Sequence, residues 1–216
     1  MINRSKAEYF DSIAGDWDGW QDEDLFLRLE AGLDEFGVEP GETVLDIGCG
    51  TGNLTIALLG RLSPEGRVIS VDISPAMVEK ARAKVDDARV EFLVEDASDL
   101  PLKDESADRI ICYSVWPHID DHSAAVEEFR RILRPGGLLH VWHLSPREVI
   151  NEIHSSAGGV ISEDMLASAV DTAALIEERG FRLVTVMEDG ASYIVSASKA
   201  DQQTGGDQQT EGGQQT

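Results

Sequence analysis

The stretch TVLDIGCGTGNLT, Thr43 to Thr55, decides how the chain folds. Thr43, Val44, Leu45 and Ile47 form a short apolar, β-branched run, which predicts a buried strand. Gly48, Gly50 and Gly52 follow at alternate positions, where glycine permits unusual backbone angles and lets a ligand touch the main chain. A helix over about Asn53 to Arg61 comes next, and its first turn presents N–H groups with no partner inside the helix. Gly66 breaks the chain before a second strand, RVISVDI, Arg67 to Ile73. Asp72 lies near the end of that strand, twenty residues after Gly52. An acid there can accept both hydroxyl protons of a ribose.

Outward from this stretch, strands and helices alternate. Ser74 caps a helix with Pro75 at its first position. RVEFLVED (Arg89 to Asp96), ADRIICYS (Ala107 to Ser114) and LLHVWHL (Leu138 to Leu144) supply three more strands. A helix from about Asp121 to Leu133 separates the last two and stops at RPGG. Ser145, Pro146 and Glu148 form a capping box for a short helix to about His154. Ser162 is a candidate cap for a longer helix with an apolar stripe of Leu166, Ala169, Val170, Ala173 and Ile176. Phe181 to Glu188 and Ser192 to Lys199 flank an Asp189-Gly190 turn and predict an antiparallel hairpin. The whole predicts an α/β fold with a mostly parallel seven-stranded sheet, helices on both faces and right-handed crossovers.

Three cofactor patterns compete at the glycine turn. A dinucleotide fingerprint, G-x-G-x-x-G, would need glycine at Asn53. A phosphate-binding loop needs a Lys-Ser/Thr pair that is not there. The pattern present, D-x-G-x-G-x-G from Asp46 to Gly52, suits a nucleoside with no pyrophosphate, with Asp46 near a charged amino acid moiety.

VLDIGCGTGNLT (Val44 to Thr55) resembles the first motif of class I S-adenosylmethionine-dependent methyltransferases. VISVDISPAMVEKAR, VEDASDLPLKDESADRIICYSVWPHIDD and RRILRPGGLLHVWHLS resemble their later segments in order and spacing, so the likeness runs from about Val44 to Ser145. It implies a Rossmann-like domain over residues 41–200, preceded by a helical lid segment over 1–40. The last sixteen residues, DQQTGGDQQTEGGQQT (201–216), carry no apolar side chain and are expected to form a disordered tail. The resemblance also implies that Gly48, Cys49, Gly50, Thr51 and Gly52 line the amino acid half of S-adenosylmethionine, with Asp46 near its ammonium. Asp72 would hold the ribose, Ile73 and Met77 the adenine face, and Asp96 and the Ala97 N–H the adenine edge. Tyr113 or Ser114 would flank the methionine portion. The product would be S-adenosylhomocysteine.

On the acceptor side, methyl transfer from a sulfonium needs alignment and desolvation more than acid catalysis. A base is required only when the acceptor must lose a proton. His118, in the loop after the fourth strand, is a candidate for that role or a helix-capping loop histidine. His143 ends the fifth strand beside the same opening, while His140 lies deeper and reads as a sheet histidine. Arg147, Asn151 and His154 share one helix face, which is either a substrate face or a solvated one. With no H-x-x-x-H or cysteine pair, no metal is expected. Trp116 and the N-terminal aromatics Tyr9, Phe10, Trp17 and Trp20 complete the candidate substrate side.

The 216 residues carry 41 acids against 18 bases, a net charge of −23. That charge repels phosphate backbones and anionic membranes, as expected of a soluble acidic protein, or else it attracts a cationic substrate. Two cysteines, the lack of a long apolar run and a start without an apolar leader fit a cytoplasmic protein, monomeric or homodimeric. The expected partner is a small-molecule methyl acceptor. A protein or tRNA methyltransferase, and a non-catalytic S-adenosylmethionine-binding module, are the alternatives.

Overall fold

A computed structural model describes residues 2–200, so the predicted tail over 201–216 lies outside the described residues. Seven strands build one sheet in the order β3-β2-β1-β4-β5-β7-β6. They are β1 (Thr43–Ile47), β2 (Arg67–Asp72), β3 (Val90–Val94), β4 (Ala107–Tyr113), β5 (Leu133–His143), β6 (Phe181–Glu188) and β7 (Tyr193–Lys199). The first five run parallel, and β7 is antiparallel to both β5 and β6. The order reverses between β1 and β4, and that switch point opens a crevice outside the carboxyl ends of the strands.

Helices cover both faces. They are α1 (Arg4–Ile13), α2 (Leu25–Glu35), α3 (Asn53–Arg61), α4 (Pro75–Lys84), α5 (His122–Ile132), α6 (Arg147–Ala157) and α7 (Ala169–Glu178). Ser74 Oγ caps α4 by accepting from the Met77 N–H, and Asp121 caps α5 through the Ala124 N–H. The period of two along β4 sends Ile110 and Cys112 to one face and Ile111 to the other, so the sheet divides the core in two. Phe129, Trp116 and Tyr193 fill one half; Leu29, Leu33, Leu58 and Trp142 fill the other.

Five sequence expectations change. The predicted lid over 1–40 is two things, because α2 is part of the core. Its Gly32 sits so close to the Trp142 ring that a Cβ would lie 2.3 Å from it. The long helix starts at Ala169 rather than after Ser162, since Ser168 is the cap that accepts from the Asp171 N–H. Val170 is 69% exposed and Thr172 takes its place on the buried face. Ser145 does not cap α6, whose cap position is Pro146 with no side-chain bond. Finally, β5 begins at Leu133, and RPGG forms an irregularity between the Ala107–Leu133 and Arg109–Leu138 pairs.

His140 is the sheet histidine expected from its depth. Its Nε2 accepts from Arg109 and its Nδ1 donates to Ser196 Oγ, both at 2.8 Å. Burial, helped by Arg109, pushes it down to about 3, so it stays neutral. Arg109 also forks both nitrogens onto Glu42 at 2.7 Å.

Candidate active site

The crevice has two lobes, of about 760 and 950 Å³, both open to solvent. Trp17, Gly48, Gly50, Ser114 and His118 line both and mark the neck between them.

The first lobe is built on the ends of β1 and β2. The chain turns back at Gly48 (φ +69°), where the Gly48 and Cys49 N–H groups both donate to the Val71 carbonyl. A Cβ at Gly48 would lie 2.2 Å from Val115 Cγ2, so only glycine fits. The Gly50 N–H donates to Asp72 Oδ2 and the Ser74 N–H to Oδ1. Burial raises the Asp72 carboxyl to about 6. Ile73, Met77, Asp96 and Ala97 line the same lobe. Asp96 Oδ1 accepts from the Ser98 N–H and hydroxyl.

Asp46 sits deeper, on the floor of the second lobe. Its Oδ2 accepts from Thr55 Oγ1 at 2.7 Å, and burial raises it to about 7. Cys49, Thr51, Tyr113, Ser114, His143 and His154 also line this lobe. Ser114 holds a left-handed φ of +52°, a conformation costing roughly 1–3 kcal/mol.

Not all candidate acceptor residues reach the crevice. Trp116 is 2% exposed, belongs to the core and packs its ring against His122. Phe10, rather than Tyr9, lines the first lobe and lies edge-on to His118 at 5.0 Å. Trp17 faces the neck, whereas Trp20 is 60% exposed. Arg147 pairs with Glu188, and the Asn151 amide bonds the Leu166 backbone in both directions. Ile150 and Ile153 of α6 take the places on the lobe wall that those two were expected to hold.

Residues outside the sequence expectations fasten the N-terminal segment over the crevice. Asp11 Oδ1 accepts from Ser74 Oγ and the Ala76 N–H at the start of α4. Asp18 accepts from Thr51 Oγ1 and pairs with Lys84. Lys6 is buried and bonds Asp164, Asp120 and the His118 carbonyl. The signal for Lys6 was its rarity: the chain has five lysines, and this one precedes the aromatic run.

Residues 45–141, from the turn strand through most of β5, match the methyltransferase domain family. The chain carries a methyltransferase domain of the class I S-adenosylmethionine-dependent kind. It is 34% identical over 166 residues to a ubiquinone/menaquinone biosynthesis C-methyltransferase of Hahella chejuensis, covering 72% of this chain and 65% of that protein. It is 34% identical over 176 residues to an arsenite methyltransferase of Halobacterium salinarum, covering 77% and 44%. The chain therefore spans between two fifths and two thirds of the length of these relatives. Among solved structures, an Aquifex aeolicus SAM-dependent methyltransferase superposes with a TM-score of 0.70 at 25% identity, covering 93% of this chain and all of that one.

Proposed function

We propose that this protein transfers the methyl group of S-adenosylmethionine to a small organic molecule. The observation that carries the reading is the two-lobed crevice pinched at Gly48, Gly50 and Ser114. One lobe offers groups for a nucleoside; the other offers the Gly48–Gly52 turn for the amino acid end and, toward His143, Ile150 and His154, room for an acceptor. The residues present fit the cofactor. Asp72 is a carboxylate at the end of β2 suited to a ribose diol. Ile73 and Met77 offer apolar contact to adenine, and Asp96 with the Ala97 N–H meets its polar edge. The Gly48–Gly52 turn, with Cys49 and Thr51, leaves backbone free of side chains for the amino acid end, with Asp46 beneath it. When bound, the cofactor supplies an electrophilic methyl on a sulfonium that leaves as a neutral thioether. The protein's part is to align the acceptor and to exclude water with Phe10 and Trp17.

The named relatives are a C-methyltransferase of ubiquinone/menaquinone biosynthesis and an arsenite methyltransferase. An organic acceptor suits this chain better. Arsenite is a soft metalloid that pairs with thiolates, and both thiols here, Cys49 and Cys112, are buried and shifted upward by that burial. A net charge of −23 disfavours tRNA. Incubation of the full chain with methyl-labelled S-adenosylmethionine and a metabolite extract, tRNA or protein tests the reading. Label is expected in the metabolite fraction; label on tRNA or protein instead overturns it.

A further inference from the structure

Three histidines meet in the second lobe, and one aspartate organises two of them. His118 Nδ1 lies 2.8 Å from Asp164 Oδ2. A carboxylate accepts, so the proton sits on Nδ1 and the neutral ring keeps a bare lone pair on Nε2. His154 Nδ1 donates to the Asp164 carbonyl, which fixes the same tautomer. The two rings are 4.7 Å apart. Lys6 Nζ holds the other Asp164 oxygen at 2.8 Å and Asp120 at 2.7 Å. Burial works to raise Asp164, but His118 and Lys6 outweigh it and keep the carboxylate ionised. Burial also keeps His118 below the ordinary imidazole range, with His154 and Lys6 acting the same way against the pull of Asp164. His118 is therefore an uncharged base at neutral pH.

His143 supplies an independent observation. It is 2% exposed, and its Nε2 finds no hydrogen-bond partner among the described residues. A buried polar atom left unmet costs about 1–3 kcal/mol, so this nitrogen is suited to meeting a polar group of whatever fills the lobe. Apolar and aromatic side chains, Trp17, Leu54, Tyr113, Ile150 and Ile153, line part of the wall, beside the polar Gln21, Asn53 and Ser145.

We propose that this lobe takes a flat apolar acceptor bearing an acidic hydroxyl, a phenol or enol, and that His118 Nε2 removes the hydroxyl proton. Asp164 is its positioning residue, and His143 Nε2 bonds a second polar group of the acceptor. The proposal rests on the methyltransferase reading. Its chemistry follows from matching acid to base: a phenol ionises near 10, within reach of a neutral imidazole, whereas an alkyl alcohol does not. A thiol, near 8.5, has less need of a base. In the step, the O–H bond breaks, the proton passes to Nε2 and the electron pair stays on oxygen. That oxygen bonds the methyl carbon as the carbon–sulfur bond breaks, its pair going to sulfur. The imidazolium, stabilised by Asp164, then returns the proton to water.

The test uses the full chain, S-adenosylhomocysteine and 4-nitrophenol, whose phenolate is yellow. At one pH unit below the midpoint of free 4-nitrophenol, the complex should bind the phenol and raise its phenolate fraction several-fold. His118→Gln should still bind S-adenosylhomocysteine and 4-nitrophenol, but with the phenolate gain lost. Asp164→Asn should lose part of it. An undiminished gain in His118→Gln overturns the base, and failure of the complex to bind 4-nitrophenol overturns the acceptor class. Failure to bind S-adenosylhomocysteine strikes the cofactor reading instead. Nitrogen NMR of the unsubstituted chain gives a readout independent of any variant's folding. It should show His118 protonated on Nδ1 and bare on Nε2, and the reverse tautomer overturns the proposal.

Discussion

The Gly50 N–H donates to one oxygen of Asp72 at 2.9 Å, and the Ser74 N–H donates to the other at the same distance. One carboxylate thus ties the glycine turn to the start of α4. Asp72→Ala removes this tie together with the proposed ribose contact. S-adenosylhomocysteine affinity should fall by about 1.5–3 kcal/mol or somewhat more, because the turn also loosens. Asp72→Asn, which keeps one acceptor, should be milder. Because burial raises Asp72 to about 6, affinity should hold above pH 7 and fall as the carboxylate is protonated below pH 6. Calorimetry of both variants, with a pH series on the parent chain, checks this; unchanged affinity in Asp72→Ala removes the ribose role.

Asp46 should stabilise the protein when neutralised. Its carboxyl, raised to about 7 by burial, has an ordinary value near 3.9 in the unfolded chain. The folded state binds the extra proton between those values. Stability is therefore lost as pH rises from about 4 to 7, and the penalty is complete above 7. Asp46→Asn should gain on the order of 2–4 kcal/mol at pH 8 and less than half of that at pH 5. It should also weaken S-adenosylmethionine binding, by removing the charge beneath the turn. Denaturant melts at the two pH values decide it; equal gains would contradict the burial argument.

Glycines divide sharply by surroundings. Gly48→Ala places a methyl against Val115 at a left-handed backbone, and should cost more than about 3 kcal/mol or prevent folding. Gly60 lies exposed in α3, and a methyl added there would meet nothing within 4 Å. Gly60→Ala should stabilise by about 0.5–1 kcal/mol. Comparison of chemical denaturation midpoints is sufficient.

Lys6→Met should loosen α1 more than the domain. It leaves Asp164 and Asp120 without their cation. Because Asp120 is half exposed, the cost should be about 1–3 kcal/mol, below that of a fully buried pair. Hydrogen exchange should speed up over Arg4–Ile13 while the strands keep their protection; uniform acceleration would mean a global effect.

The fold was legible because its strands are short apolar runs punctuated by glycine, and Asp189-Gly190 announces the hairpin. The errors fell where two local signals look alike. Ser162 and Ser168 are equal as caps on paper, but Ser162 Oγ donates to the Gly159 carbonyl, and Asn151 pins the intervening Leu166. The glycine turn and Asp72 were legible for their spacing. Lys6, Asp11, Asp18 and Asp164 were not, since their partners lie far off in sequence; His118 and Lys6 are 112 residues apart. Arg147 and Asn151 share a helix face, but spacing cannot say that Glu188 and Leu166 claim them.

The fastening of the N-terminal segment has a kinetic consequence. Lys6, Asp11 and Asp18 tie that segment to the chain on several sides of the crevice. With Phe10 and Trp17 on the crevice wall, exchange of a ligand as large as a nucleoside is expected to need some of these ties to open, and such segment motions run on microsecond to millisecond scales or slower. Departure of the spent nucleoside should then pace turnover. A rapid-quench time course should show a burst of methylated product equal to the enzyme concentration, followed by a slower steady rate that quickens modestly as salt screens the partly exposed Asp18–Lys84 pair.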